Sequence, residues 1–108
     1  MIAVIFEVWP SAAGRADYLA TAAALKAELE AVDGFISVER FESLTTPGKL
    51  LSLSFFRDEA AVRDWRTRVT HRAAQARGRG GLFADYRIRV ASVLRDYGLQ
   101  DRAEVPGG

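Results

Sequence analysis

The sequence predicts an α+β protein of the ferredoxin-like type, with the element order β-α-β-β-α-β, and three observations support this prediction. Two segments with apolar residues at helical spacing alternate with segments rich in β-branched and aromatic residues. A Pro-Gly turn joins two of the strand segments into a hairpin. Right-handed crossovers then place both helices on one face of a four-stranded antiparallel sheet.

The first strand and the first helix follow from the start of the chain. Residues 2–10, IAVIFEVWP, are β-branched and aromatic, and Pro10 ends the segment, so they predict strand one. Residues 14–32 are rich in alanine, leucine and glutamate, and their apolar side chains recur at three- and four-residue steps. This spacing predicts an amphipathic helix, with Gly34 as its C-terminal stop.

A hairpin and a second helix follow in the middle of the chain. Residues 35–44, FISVERFESL, and 50–56, LLSLSFF, predict strands two and three, with TTPGK at 45–49 as the turn. Asp58 is placed to cap the N-terminus of helix two. The apolar residues of that helix recur at helical spacing, and they are Val62, Trp65, Val69, Ala73 and Ala76.

The last strand and a tail complete the predicted order. The glycine-rich segment RGRGG, residues 77–81, ends helix two. Residues 82–97 alternate in polarity and predict a long strand four. We therefore expect one domain over residues 1–97, followed by a C-terminal tail at 98–108.

Composition excludes several classes of protein and site. The chain has no cysteine, so disulfides, thiolate nucleophiles and cysteine metal sites are excluded, and a cytoplasmic location fits. No apolar segment has the length of a membrane span. The net charge is +1, and the arginines of the second half alternate with acidic residues, which predicts a solvated surface rather than a nucleic-acid interface.

The sheet is expected to be apolar on both faces. Strand one carries Ile2, Val4, Phe6 and Val8 on one face and Ala3, Ile5 and Trp9 on the other. Because two helices cover only one face, the second must be buried against another surface, and an identical sheet is the simplest partner. The sequence therefore predicts a homodimer formed through the sheet face.

Four segments of the chain resemble the antibiotic biosynthesis monooxygenase family of the dimeric α/β-barrel superfamily. They are GFISVERFES (34–43), TPGKLLSLSFFRDEAAVRDWR (46–66), HRAAQARGR (71–79) and FADYRIRV (83–90). The resemblance implies a ligand pocket between the helices and the sheet, near helix two. It also implies either an oxygenase that needs no cofactor and acts on phenols or quinols, or a haem-degrading enzyme.

The haem-degrading branch is the least favoured alternative within this resemblance. Its members are expected to combine a strand-one asparagine with a helix-two tryptophan and a histidine about ten positions later. Trp65 matches the tryptophan, but the tenth position after it is Gln75, and strand one has Phe6 and Glu7. Glutamine is a poor iron ligand, so we expect no haem cofactor. No cluster of carboxylates and histidine has metal-ligand spacing, so we also expect no metal site.

Two candidate catalytic residues lie on helix two. Trp65 shares the apolar stripe, so it is either a core aromatic or a wall against which a planar substrate stacks. His71 lies about 120° away around the helix axis, at the border of that stripe. It could accept a proton from a phenol, form a structural hydrogen bond, or face solvent.

Further candidate residues complete the predicted site. Tyr86 lies on the more apolar face of strand four and is the third catalytic candidate, able to orient a substrate through its hydroxyl. Substrate contacts are expected from Arg68, Gln75 and Phe83, together with Trp65.

Charged residues are also expected within the sheet. Arg87 and Arg89 point away from Tyr86, where ion pairs with Glu39 or Asp85 are expected. Glu39 and Arg40 lie on opposite faces of strand two. Whichever of them points inward requires an ion-pair partner, such as an arginine of strand four or a residue of the other subunit.

The resulting functional hypothesis is a monooxygenase that uses O₂ as co-substrate, needs no cofactor and acts on a small aromatic molecule. The alternative is a dimer that binds a small ligand, or is associated with stress, without catalysing a reaction.

Overall fold

The computed structural model describes residues 1–12, 14–76 and 83–107, with side chains described at 1–12, 14–68 and 84–107. Within these ranges the chain forms six elements in the predicted order. They are β1 (Ile2–Pro10), α1 (Arg15–Leu29), β2 (Phe35–Glu42), β3 (Leu50–Phe56), α2 (Glu59–Ala76) and β4 (Phe83–Ser92).

The four strands form one antiparallel sheet in the order β2-β3-β1-β4. β1 is a central strand that pairs with β3 on one side and with β4 on the other. β2 pairs only with β3 and is therefore an edge strand. This order and the two helices confirm the ferredoxin-like α+β fold.

Local signals in the sequence fix the β2–β3 hairpin and the start of α2. Gly48 adopts a positive φ of 80° in the turn, where Ser43 Oγ accepts a hydrogen bond from the amide of Thr46 at 2.9 Å. Asp58 caps α2 by accepting a hydrogen bond from the amide of Ala61 at 3.0 Å. That backbone hydrogen bond and the side chain of Arg57 hold the pKa of the Asp58 carboxyl below its ordinary value. Both local predictions are confirmed.

Strand β4 is shorter than the sequence pattern suggests, because its only partner strand ends. Ser92 pairs with Ile2 at the start of β1, and the amide of Val93 donates to the carbonyl of Met1. Beyond that point no residue of β1 remains to continue the ladder, so residues 93–97 are not in the strand. The alternating pattern that predicted a strand as far as residue 97 continues past the end of the pairing.

The helices pack on one side of the sheet, here called the helix-facing side, and divide the core into two clusters. The larger cluster comprises Val4, Leu29, Val32, Phe56, Ala61, Val62 and Trp65. The smaller cluster comprises Val8, Tyr18 and Leu50, with Phe6 packed against it. Both clusters use the even-numbered residues of β1, as the alternation predicts.

The other side of the sheet, here called the open side, combines apolar and charged residues. Glu7 lies there between two cations, with Lys49 Nζ at 2.5 Å and Arg89 Nη1 at 2.6 Å from its carboxylate oxygens. The hydrogen bond from Lys49, with the charges of Lys49 and Arg89, keeps the pKa of Glu7 below its ordinary value. Arg89 thus pairs with Glu7, rather than with Glu39 or Asp85. The β1–β4 register places Glu7 opposite Arg87, and Arg89 reaches it diagonally from its position opposite Ile5.

Gly34 lies between α1 and β2, where its backbone closely approaches α2. It follows α1 by several residues rather than ending it, and its φ of 93° lies in the left-handed region. A Cβ at this position would lie 3.1 Å from the Cβ of Ala61 on α2. Both the backbone conformation and the packing therefore favour glycine here.

We expect Gly34→Ala to lower the free energy of unfolding by roughly 1–2 kcal/mol, because alanine disfavours a positive φ and would crowd α2. Urea denaturation followed by circular dichroism measures the change. Gly98→Ala is the matched control, since no atom lies within 4 Å of a Cβ built there. Equal stabilities of the two variants would contradict this account of Gly34.

Candidate functional site

A row of side chains crosses the helix-facing side of the sheet between the two core clusters. Strand register places Arg40 of β2 beside Ser52 of β3, Ser52 beside Phe6 of β1, and Phe6 beside Ile88 of β4. The row therefore changes from charged at the β2 edge to apolar at the β4 edge. We refer to these four residues as the central row.

Two aromatic side chains mark the apolar end of the central row. Tyr86 of β4 pairs with Val8 of β1 and lies one step along the strand from Ile88 on the same side. Its ring centroid is 5.9 Å from that of Phe6, with an interplanar angle of 66°. Tyr86 is 55% exposed although it faces the same side as the helices. Phe6 is partly buried against the smaller core cluster, so the pair joins the core to an exposed ring, an arrangement suited to contact a planar apolar ligand.

Trp65 lies deeper than Arg68 and Tyr86, the other candidates whose side chains are described. Its side chain is 7% exposed and belongs to the larger core cluster. The ring packs edge-on against Phe56, with centroids 6.2 Å apart. These contacts show that Trp65 packs in the core. Its contact with a substrate stays a prediction.

Of the remaining candidates on α2 and β4, Arg68 is the one whose side chain the structure describes. Arg68 forms an ion pair with Asp64 one helical turn earlier, at 3.3 Å. His71 and Gln75 belong to α2, and Phe83 begins β4, but their side chains lie outside the described residues. Their predicted roles in proton transfer and substrate contact therefore stay predictions.

Arg40 occupies the charged end of the central row. Its Nη2 donates a hydrogen bond to the carbonyl of Ala22 in α1 at 3.2 Å, and its Nε–H is buried without a partner. Burial raises the pKa of the neighbouring Tyr18 hydroxyl, and the charge of Arg40 acts in the opposite direction. The inward charge of β2 is thus Arg40, but among the described residues no carboxylate lies within ion-pair distance of it.

Two residues of this site were not among those singled out from the sequence. Phe6 was assigned to the correct face of β1, but only its place in the central row relates it to Tyr86. Arg40 was considered only for a structural ion pair. The alternation of β1 could have indicated Phe6, whereas nothing in the sequence indicates that Arg40 lacks a carboxylate partner.

The described part of the chain holds neither a metal-binding cluster nor a helix suited to cross a membrane. No group of three or more histidine, cysteine, aspartate or glutamate side chains there is arranged to hold a metal ion. Neither α1 nor α2, as far as they are described, combines the length and the apolar character that crossing a membrane requires.

Comparison with known proteins identifies relatives in sequence and in fold. The sequence pattern of the family described as Antibiotic biosynthesis monooxygenase matches residues 1–77. A protein of Pyricularia oryzae named jasmonate monooxygenase ABM is 48% identical over 93 residues, which are 86% of this chain and 43% of that protein. The chain therefore spans less than half of the length of this relative.

Solved structures share the fold at low sequence identity. Rv0793 from Mycobacterium tuberculosis has a TM-score of 0.75 and 23% identity, over 90% of this chain and 98% of its own. SnoaB from Streptomyces nogalater, described as a cofactor-independent oxygenase, has a TM-score of 0.70 and 11% identity, over 88% of this chain and 94% of its own. At these identities the likeness concerns the fold alone.

We expect Trp65→Ala to lower the free energy of unfolding by about 3–5 kcal/mol, because it leaves a cavity in the larger core cluster. Tyr86→Ala should cost roughly 1 kcal/mol, since the exposed ring loses less buried area. Urea denaturation of both variants in one buffer tests the difference. A loss for Tyr86→Ala as large as that for Trp65→Ala would show that the aromatic pair belongs to the core.

Proposed function

The chain belongs to the antibiotic biosynthesis monooxygenase family, and from this premise we propose that it is a cofactor-independent monooxygenase acting on a small phenol- or quinol-type substrate. The observation that carries the proposal is the Phe6–Tyr86 pair beside the core, in which Phe6 is partly buried and Tyr86 is exposed. The description of SnoaB as a cofactor-independent oxygenase supports the reaction type. A cytoplasmic location, suggested by the cysteine-free sequence, belongs to the same proposal.

In the proposed mechanism the aromatic substrate lies against Phe6 and Tyr86. His71 accepts the phenolic proton, and the electron-rich anion transfers an electron to O₂. One oxygen atom enters the substrate, and the other leaves as water with two hydrogens from the same substrate molecule, so no external reductant is needed. Tyr86 orients the substrate through its hydroxyl, while Trp65, Arg68, Gln75 and Phe83 are the further contacts proposed.

A second substrate class comes from the Pyricularia oryzae relative. That protein is named a jasmonate monooxygenase, and jasmonate is a carboxylate without a phenol ring. This chain is 48% identical to that protein over 86% of its residues, so a similar acid is the second candidate substrate. Haem degradation is not proposed, because Gln75 stands where that branch is expected to have histidine.

The alternative function, ligand binding without catalysis, is favoured by one observation. Trp65 is already packed in the core, and Arg68 is already paired with Asp64, so two proposed substrate contacts are engaged within the chain. The same site would then bind a small molecule in a non-catalytic or stress-associated dimer.

The oxygenase proposal predicts O₂ consumption with an anthrone or a quinol, and one ¹⁸O atom per product under ¹⁸O₂. His71→Ala should lower kcat with a phenolic substrate by roughly 100-fold, because the proton acceptor is lost. Dialysis against a chelator should leave the rate unchanged. Arg63→Gln, an exposed change on α2, is the control. Equal rates for the wild type and His71→Ala would remove the histidine from the mechanism, and binding without turnover would favour the alternative function.

The open side of the sheet supports a homodimer as the functional unit. Ile5, Leu53 and Phe55 lie on this side among other apolar residues, and no described helix packs against it. Leu94 and Leu99, beyond the end of β4, are more than four-fifths exposed. A second copy that covered the open side would remove this apolar surface from water.

For the dimer, we expect sedimentation equilibrium to give about twice the chain mass of 11.9 kDa. Leu53→Glu should produce a monomer, because it would place a charge within the apolar contact. Leu19→Glu, an exposed change on α1, is the matched control and should stay dimeric. A wild-type monomer, or a Leu53→Glu dimer of unchanged stability, would contradict pairing through the open side.

A further inference from the structure

Arg40 is a half-buried cation that has no carboxylate partner among the described residues. All fourteen carboxylate side chains belong to described residues, and none of them lies within 4 Å of the Arg40 guanidinium. Glu42, which shares its side of β2, is paired with Arg15 instead. The other ionisable neighbour, Tyr18, is a phenol whose pKa is raised by burial. The contacts of Arg40 are therefore with neutral groups.

This arrangement costs free energy in the unliganded chain. A guanidinium has five N–H donors; one donates to the carbonyl of Ala22, and a further hydrogen bond joins the group to the hydroxyl of Tyr18. The buried Nε–H is left without an acceptor, although buried donors are nearly always paired in proteins. An anion that reached the guanidinium would compensate the charge and form strong, charge-assisted hydrogen bonds.

The central row connects this cation to the aromatic pair. Arg40 and Phe6 are separated by Ser52 of β3, so the two positions are two strand spacings apart, about 10 Å. The hydroxyl of Ser52 makes no side-chain hydrogen bond within the described residues, so it is available to a ligand that follows the row. Such a ligand would be polar at the β2 end and apolar at the β1–β4 end.

We propose that Arg40 binds the carboxylate of an acidic ligand whose apolar part lies against Phe6 and Tyr86. The ligand class is a small organic acid whose carboxylate is separated by several bonds from a ring. The proposal rests on the proposed function only for the location of the apolar end of the site. It assigns recognition of the carboxylate to β2, whereas the other proposed substrate contacts lie on β1, α2 and β4.

Matched acid and ester probes test this assignment by isothermal titration under nitrogen. The pairs are 3-(4-hydroxyphenyl)propanoate with its methyl ester and jasmonate with its methyl ester. The wild type should bind at least one acid more tightly than its ester by about tenfold or more, as expected of a charge-assisted contact. Arg40→Gln should abolish that preference and leave ester affinity within about twofold, while Arg40→Lys should keep part of it.

Two controls separate recognition from folding. Arg63→Gln removes one exposed positive charge from α2 and should leave the acid-to-ester ratio unchanged. The ester affinity of Arg40→Gln reports whether the apolar end of the site is still formed, and circular dichroism reports its fold. Inorganic phosphate is the third probe, and it should bind more weakly than the acids because it has no apolar part.

Three outcomes would overturn the proposal. They are no binding of either acid, equal affinity for acid and ester in the wild type, and an unchanged preference in Arg40→Gln. Phosphate binding tighter than that of both acids would also overturn it, by assigning Arg40 to a simple anion. Because binding is measured without O₂, an acid that binds through Arg40 but yields no product in air would contradict the oxygenase function alone.

Discussion

Strand β1 pairs with β3 on one edge and β4 on the other, and it carries apolar side chains on both faces. A strand in this position has to be covered from two directions, because each exposed face would leave apolar area in water. The helices satisfy the requirement on the helix-facing side, where Val4 and Val8 are completely buried. The open side is left to another surface, which is why the homodimer is part of the proposed function.

The division of the core into two clusters determines where a ligand could bind. α1 and α2 pack over Val4 and Val8 of β1, and Phe6 lies between these positions. At this level β4 presents Tyr86 and Ile88, which are exposed although they face the helices. The candidate site is therefore a place where the packing of the fold is incomplete, rather than an addition to a finished core.

Two charged positions within the sheet differ in how the fold accommodates them. On the open side, Glu7 is held between Lys49 and Arg89, so its charge is compensated within the chain. On the helix-facing side, the described groups that Arg40 contacts, the Ala22 carbonyl and the Tyr18 hydroxyl, are neutral, and its Nε–H is buried without an acceptor. Because a partly buried charge is costly when it is unpaired, an external anion that reached Arg40 would stabilise the protein.

The sequence by itself determined the element order, the hairpin and the Asp58 cap, because these depend on residues close together in the chain. It also identified the family. The tertiary structure decided which strand positions meet. The end of β4 at Ser92 follows from where β1 begins, and the ion pair of Glu7 depends on strand register. A bulge at Phe35–Ser37 shifts the alternation of β2, so the structure was needed to show that Arg40 faces the helices.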